Sequence, residues 1–117
     1  MNIEELRAYC IAKPGVTEDF PFDETTLVFK VMDKMFALTD LEGPLSMNLK
    51  CDPELALELR EKHACVLPGY HMHKKHWNTI TIDGSVSDQQ LKEWIDHSYQ
   101  LVVNKLPKKQ QAQLNEL

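Results

Sequence analysis

Between Tyr70 and Trp77 the chain reads YHMHKKHW, which places His71, His73 and His76 beside Lys74, Lys75 and two aromatic rings within eight residues. Imidazole and ammonium groups at this density support two chemistries. The first is metal ligation. In an extended segment His71 and His73 project to one side, and a bend brings His76 towards them, as tetrahedral or octahedral sites require. No Asp or Glu lies in the stretch to complete a carboxylate-containing set, and Lys74 and Lys75 repel a dication, so the expectation is exposed loop histidines and no metal. The second is phosphate recognition. Lysines and partly protonated histidines pair with phosphate oxygens, and His and Tyr rings stack on bases. On this reading Arg60, Lys74 and Lys75 contact phosphate, Lys62 adds charge to the same edge, His71, His73 and His76 add pH-dependent contacts, and Tyr70 stacks. The competing account is structural: Trp77 packs in the core and the charges around it keep a loop soluble.

Catalytic patterns are sparse. Cys51 stands just before an expected helix N-terminus, where the dipole lowers a thiol pKa, and a neighbouring histidine would make it a nucleophile. No residue pattern fixes that second group. The chain also has no glycine-rich phosphate loop, no GxSxG and no spaced carboxylate pair. A non-catalytic protein without a cofactor is therefore expected. The acids Glu18, Asp19, Asp23 and Glu24 read as solvated loop charge.

Cys10, Cys51 and Cys65 are odd in number and widely spaced, which favours reduced thiols over a disulfide framework or a thiolate zinc site. The net charge of −5 opposes indiscriminate attraction to nucleic acid or anionic lipid. That charge is unevenly spread. Residues 1–59 carry 5 Lys and Arg against 12 Asp and Glu, whereas residues 60–117 carry 8 against 6. The segment from Arg60 to His76 holds four basic residues, four histidines and one acid, so a local basic face is compatible with an acidic whole. The first residues, MNIEELRAYC, carry acids where a secretory signal carries bases, and no apolar run approaches the roughly 20 residues that a bilayer span needs. A cytoplasmic protein with no membrane association is expected.

With 117 residues and 43% apolar composition, one domain with a single core is the default. Asn2 with Glu5 reads as a capping box for a first helix that ends before Pro14-Gly15. Residues 15–24 lack a period and read as a structured loop whose Phe20 and Phe22 cover the core. From Thr25 the period becomes two: TTLVFKVM, a turn at Asp33-Lys34, the strand MFALT, a second turn at Glu42-Gly43-Pro44, and LSMNLK form an antiparallel meander. Asp52 and Pro53 open a second helix that runs to about His63. WNTITID adds one further strand before Asp83-Gly84. Ser87 with Gln90 starts the long helix that carries Leu91, Trp94, Ile95, Tyr99 and Val102, Pro107 closes or restarts it, and KKQQAQLNEL forms one more short helix or frays. The expected fold is α+β and two-layered, an antiparallel sheet (meander plus additional strand) packed with N-terminal, middle and C-terminal helices.

The stretches LRAYCIAKPGVTEDFPFD, VFKVMDKMFAL, SMNLKCDPELALELR, PGYHMHKKHWNTITIDG and HSYQLVV together resemble the MmcQ/YjbR family of small bacterial proteins over nearly the whole chain. That resemblance implies an α/β two-layer domain similar to secretion-chaperone-like or CyaY-like folds. It also implies DNA binding, a label given to the family for a proposed double-wing arrangement of β-hairpins. The function expected is thus DNA binding through the basic, His-rich surface of residues 60–76. The alternative is a protein-interaction module that binds a peptide or pairs into a homodimer, using an open sheet edge or the aromatic loop Phe20-Pro21-Phe22.

Overall fold

The alternating run that begins at Thr26 becomes strand β2 (Thr26–Val31), paired antiparallel with β3 (Lys34–Asp40) so that Leu27 faces Thr39 and Phe29 faces Ala37. The computed structural model describes residues 1–117. Met32 and Asp33 join these two strands in consecutive left-handed conformations, φ 47° and 66°, a geometry whose twist matches that of the strands. The turn therefore falls one residue earlier than Asp33-Lys34, and Lys34 opens β3. Beyond Phe29 the register slips: Lys30 faces Met35, which leaves Phe36 as the extra residue of a β-bulge, fully buried in the core.

The remaining elements are α1 (Ile3–Ile11), β1 (Val16–Asp19), β4 (Ser46–Lys50), α2 (Pro53–Lys62), β5 (Val66–Pro68), β6 (Trp77–Thr81), α3 (Asp88–Asn104) and α4 (Lys108–Asn115). One antiparallel sheet holds all six strands in the order β1-β2-β3-β4-β6-β5. Two expectations need correction. Residues 16–19 are an edge strand rather than loop, with Val16 opposite Val31, and the Phe20 and Phe22 that follow are 46% and 63% exposed instead of covering the core. Two strands rather than one follow α2, because Val66–Pro68 pairs with Trp77–Thr81 across the basic stretch.

Local chemistry fixes the helix ends. Asn2 Oδ1 accepts the Glu5 amide at 2.8 Å while Glu5 Oε1 accepts the Asn2 amide at 3.3 Å, a complete capping box. Asp52 Oδ2 accepts the Leu55 amide at the start of α2, and Ser87 Oγ accepts the Gln90 amide at the start of α3. Across α3, Leu91, Trp94, Ile95 and Val102 form an apolar stripe that lies on β3 and β4 and packs with Phe29, Phe36, Met47, Leu49 and Ile80. Complete burial of a side chain such as Ile95 or Phe29 stabilises the fold by about 1.5–3 kcal/mol. The one polar residue of that stripe, Ser98, is fully buried: its Oγ donates to the Phe36 carbonyl at 2.5 Å and accepts the Lys50 amide at 2.9 Å. Ser98 thus pins α3 to the bulge and to the end of β4. At the C-terminus Leu114 is buried, so KKQQAQLNEL docks as α4.

The opposite face of the sheet carries no helix. A small cluster of Val28, Leu38 and Trp77, with Met35 and Met72 against it, covers its middle. Met72 belongs to the loop between β5 and β6, so the basic stretch is anchored on this open face. No helix is long and apolar enough to cross a membrane.

Candidate nucleic-acid interface

Residues 69–76 are held by backbone bonds at both ends. Gly69 donates to the Trp77 carbonyl at 2.8 Å, Tyr70 donates to Thr79 Oγ1 at 2.9 Å, and Cys51 donates to the His76 carbonyl at 2.8 Å. A Cβ on Gly69 would stand 2.7 Å from Trp77 Cβ and 2.9 Å from its carbonyl oxygen, so only glycine lets the loop lie this close to β6. Arg60 of α2 completes the anchorage. Its Nε donates to Asn78 Oδ1 at 2.7 Å, and one terminal nitrogen donates to the carbonyls of Lys74 and Trp77.

The structure distributes the eight candidate residues among distinct roles. Arg60 is half-buried and directed into its own fold, and Lys74 Nζ turns back onto the Gly69 carbonyl at 3.1 Å. Both build the loop. Lys62 is exposed in the last turn of α2 and shares neither a hydrogen bond nor a cavity wall with the loop. His73 and His76 pair with ring centroids 5.0 Å apart, whereas His71 sits against Tyr70 at 4.0 Å. The three histidines therefore split between the two ends of the loop, and no group of three or more His, Cys, Asp or Glu is placed to hold a metal ion. Lys75 and His73 are exposed, and Lys75 lines a shallow groove with Pro53, Glu54, Leu57 and Arg60.

Tertiary folding adds cations that the stretch itself does not contain. Lys34 from the start of β3, Lys50 from the end of β4 and Lys105 from the C-cap of α3 line one groove of about 360 Å³. Met35, Trp77 and Pro107 form its apolar walls, and no acid lines it. Lys108 and Lys109 follow Pro107 in the first turn of α4. His76 joins this group electrostatically. Its pKa lies below the ordinary 6.5, first because of desolvation and then because His73, Lys105, Lys75 and Lys50 repel its proton. Lys50 is depressed too, by desolvation and by Lys105. The acidic half of the chain does not offset this charge. Arg7 pairs with Glu18, Lys13 with Asp96, Lys30 with Asp19 and the N-terminal amine with Asp88, and no other Lys or Arg forms an ion pair. Like charges gathered without counter-charge raise the free energy of the empty site, and an anion entering it relieves that repulsion.

Cys51 has the opposite of an activated environment. Burial, and after it the Asp52 carboxylate, pushes its thiol up to about 11. His97, which lines the same small cavity as Cys51, accepts the Asp52 amide at Nε2 and shares no hydrogen bond with the thiol.

Comparison with known proteins follows the same fold. The family model for YjbR matches residues 11–101. The chain belongs to the YjbR family. It is 41% identical over 118 residues to the uncharacterised protein YjbR of Escherichia coli K12, covering the whole of both chains. A crystal structure of Deinococcus radiodurans protein DR2400, of family-model domain DUF419, is similar with a TM-score of 0.91 and 45% identity, over 97% of this chain and 88% of that one. A Pseudomonas syringae protein is similar with a TM-score of 0.76 and 29% identity, over 86% and 98%. The sequence-based expectations of family and of an α+β fold therefore hold.

Proposed function

We propose that this chain is a non-catalytic DNA-binding protein whose phosphate contacts are made by the lysine groove and the adjoining end of the basic loop. One observation carries the reading: Lys34, Lys50 and Lys105 line a single concave surface without an acid, and Lys50, Lys75 and Lys105 surround His76. Point-like ammonium groups in a groove suit the sequence-independent part of nucleic-acid binding, in which neutralising each phosphate releases condensed counterions. Lys75, His73 and His76 keep their proposed roles from the loop. Lys34, Lys50 and Lys105 take the phosphate contact first expected of Arg60 and Lys74, whose donors are engaged within the protein. The net charge of −5 works against approach from a distance, so binding is modest and strongly sensitive to salt.

Charge reversal tests this. Lys50→Glu with Lys105→Glu should weaken binding of a labelled duplex or single strand at low salt at least tenfold, while the same change at Lys92, on the far helix surface beside Tyr9, leaves it unchanged. Equal affinity of the two variants refutes the assigned surface. A second reading, a protein-interaction module, is favoured by the exposure of Leu57 and Leu67, the latter on the edge strand β5. Self-association by light scattering, lost on Leu67→Lys, would support it.

A further inference from the structure

We infer that the open face of the sheet also receives an unpaired base, so that this protein binds single strands in preference to duplex; the inference rests on the nucleic-acid reading above. A cavity of about 490 Å³, the largest in the molecule, lies on this face. That volume is within the range of small-molecule sites. Its walls include Phe22, from the loop after β1, and Tyr70, from the basic loop, which are 63% and 69% exposed. Among the Phe, Tyr and Trp rings of the chain these are the two most exposed, and both border one polar hollow. Stacking on such rings is how sequence-tolerant single-strand sites gain affinity, because every base has an apolar face. His71, at φ 59°, holds the loop tip in a left-handed conformation uncommon outside glycine, with its ring 4.0 Å from that of Tyr70.

The polar groups of the hollow exclude phosphate and suit a base edge. Asp23 and Asp40 both line it. Asp23 accepts the amides of Thr25 and Thr26, which hold its carboxyl below the ordinary carboxylate range, so it is ionised at neutral pH. Two carboxylates repel a phosphate but accept N–H donors. Asn48 supplies the complementary group. Its Oδ1 accepts Thr79 Oγ1, which in turn accepts the Tyr70 amide, and the amide nitrogen of Asn48 keeps both N–H donors without a partner in the chain. Guanine, with N1–H and N2–H donors beside the O6 acceptor, suits a hollow that holds both carboxylate acceptors and an amide donor better than thymine, which offers one donor between two acceptors.

Position connects this hollow to the lysine groove. The Val28, Leu38 and Trp77 cluster, with Met35 and Met72, separates them: Leu38 and Met72 line the hollow, and Met35 and Trp77 line the groove. A strand crossing that apolar ridge would set a base on one side and its neighbouring phosphates on the other. In a duplex the Watson–Crick edges are occupied, and the hollow stays empty.

The test is fluorescence anisotropy with a labelled oligonucleotide of about ten nucleotides, thymine-rich with one central guanine, and with its abasic counterpart and its duplex. Wild type is compared with Phe22→Ala/Tyr70→Ala and with Lys50→Glu/Lys105→Glu, each checked for an unchanged circular dichroism spectrum and melting temperature. The expected result is a single-strand preference of about tenfold that disappears in the aromatic variant and with the abasic strand, while duplex affinity is retained. Loss of both affinities belongs to the lysine variant. If the aromatic variant and the abasic strand bind as well as their parents while the lysine variant does not, the base pocket is refuted and the phosphate reading stands. If wild type binds no strand, or the lysine variant binds all of them normally, the nucleic-acid reading fails and the inference falls with it.

Discussion

Arg60→Met separates a structural arginine from a ligand-binding one. Methionine keeps much of the aliphatic stem and removes the guanidinium. Asn78, 1% exposed, then loses the donor to its Oδ1, retaining only the bond from its amide nitrogen to the Ala56 carbonyl. The carbonyls of Lys74 and Trp77 lose a donor too, but Lys74 is exposed and water can replace the arginine there. A hydrogen bond from a charged donor contributes about 1.5–3 kcal/mol net, and an orphaned buried acceptor costs about 1–3 kcal/mol, so the Asn78 bond dominates and the loss is about 2–3 kcal/mol. For a domain of this length one kcal/mol moves the melting temperature by roughly 4 °C, which gives a drop of about 8–12 °C. Thermal unfolding followed by circular dichroism measures it, with Lys75→Met as the control expected to change nothing. Amide exchange should report the same event locally, since Gly69, Tyr70 and His76 lose protection before the sheet does. A melting temperature within about 2 °C of wild type would refute the reasoning and return Arg60 to the surface as a free cation.

Ser98→Ala orphans the Lys50 amide and the Phe36 carbonyl together and should destabilise the fold by about 1–3 kcal/mol in urea unfolding, unlike Ser85→Ala at an exposed turn. His76 gives a pH dependence whose sign follows from its depressed pKa. The folded state disfavours the imidazolium, so the unfolded state binds more protons, stability falls as pH drops below 6.5, and the penalty is complete once pH is below the folded pKa; His76→Gln should flatten that limb of the stability profile. In an NMR titration the same imidazole should move back towards 6.5 when an oligonucleotide occupies the site. Cys10 and Cys51, pushed up to about 12 and about 11 chiefly by burial, should resist alkylation at neutral pH in the folded protein and react with Cys65 only on unfolding; rapid labelling of native Cys51 would contradict its burial.

Much of the fold was legible because its signals are local. Asn2 with Glu5, Asp52 with Pro53 and Ser87 with Gln90 each mark a helix start by satisfying amides within one turn. Leu27, Phe29 and Val31 announce a strand by alternation, and Val28 on the other side correctly signals a second, partly covered face. Three residues, Val66–Pro68, are too few to show a period, so β5 escaped notice until β6 supplied its ladder. Phe20 and Phe22 misled through hydrophobicity alone, since an apolar ring in a loop says nothing about which face of the sheet the loop will border.

The site divides on the same line. The basic stretch was visible as composition, and its placement beside a larger cationic surface agrees with that. Lys34, Lys50 and Lys105 were not visible as a set, because they come from a hairpin turn, a strand end and a helix C-cap that meet only when α3 lies across β3 and β4. The inward hydrogen bonds of Arg60 and Lys74 were hidden for the converse reason. A basic residue near a helix end, or beside another lysine, reads as solvated charge, and only the proximity of Asn78 and of the loop carbonyls reveals an inward role.

The salt dependence of binding tests the central claim most directly. For a single strand, the logarithm of the association constant should fall linearly against the logarithm of salt concentration with a slope of about −0.7 per neutralised phosphate, hence about −3 for the three groove lysines together with Lys75. Lys50→Glu/Lys105→Glu should bring that slope close to zero along with the affinity. No saturable binding at low salt, or binding whose strength is indifferent to salt, would contradict a phosphate-binding face.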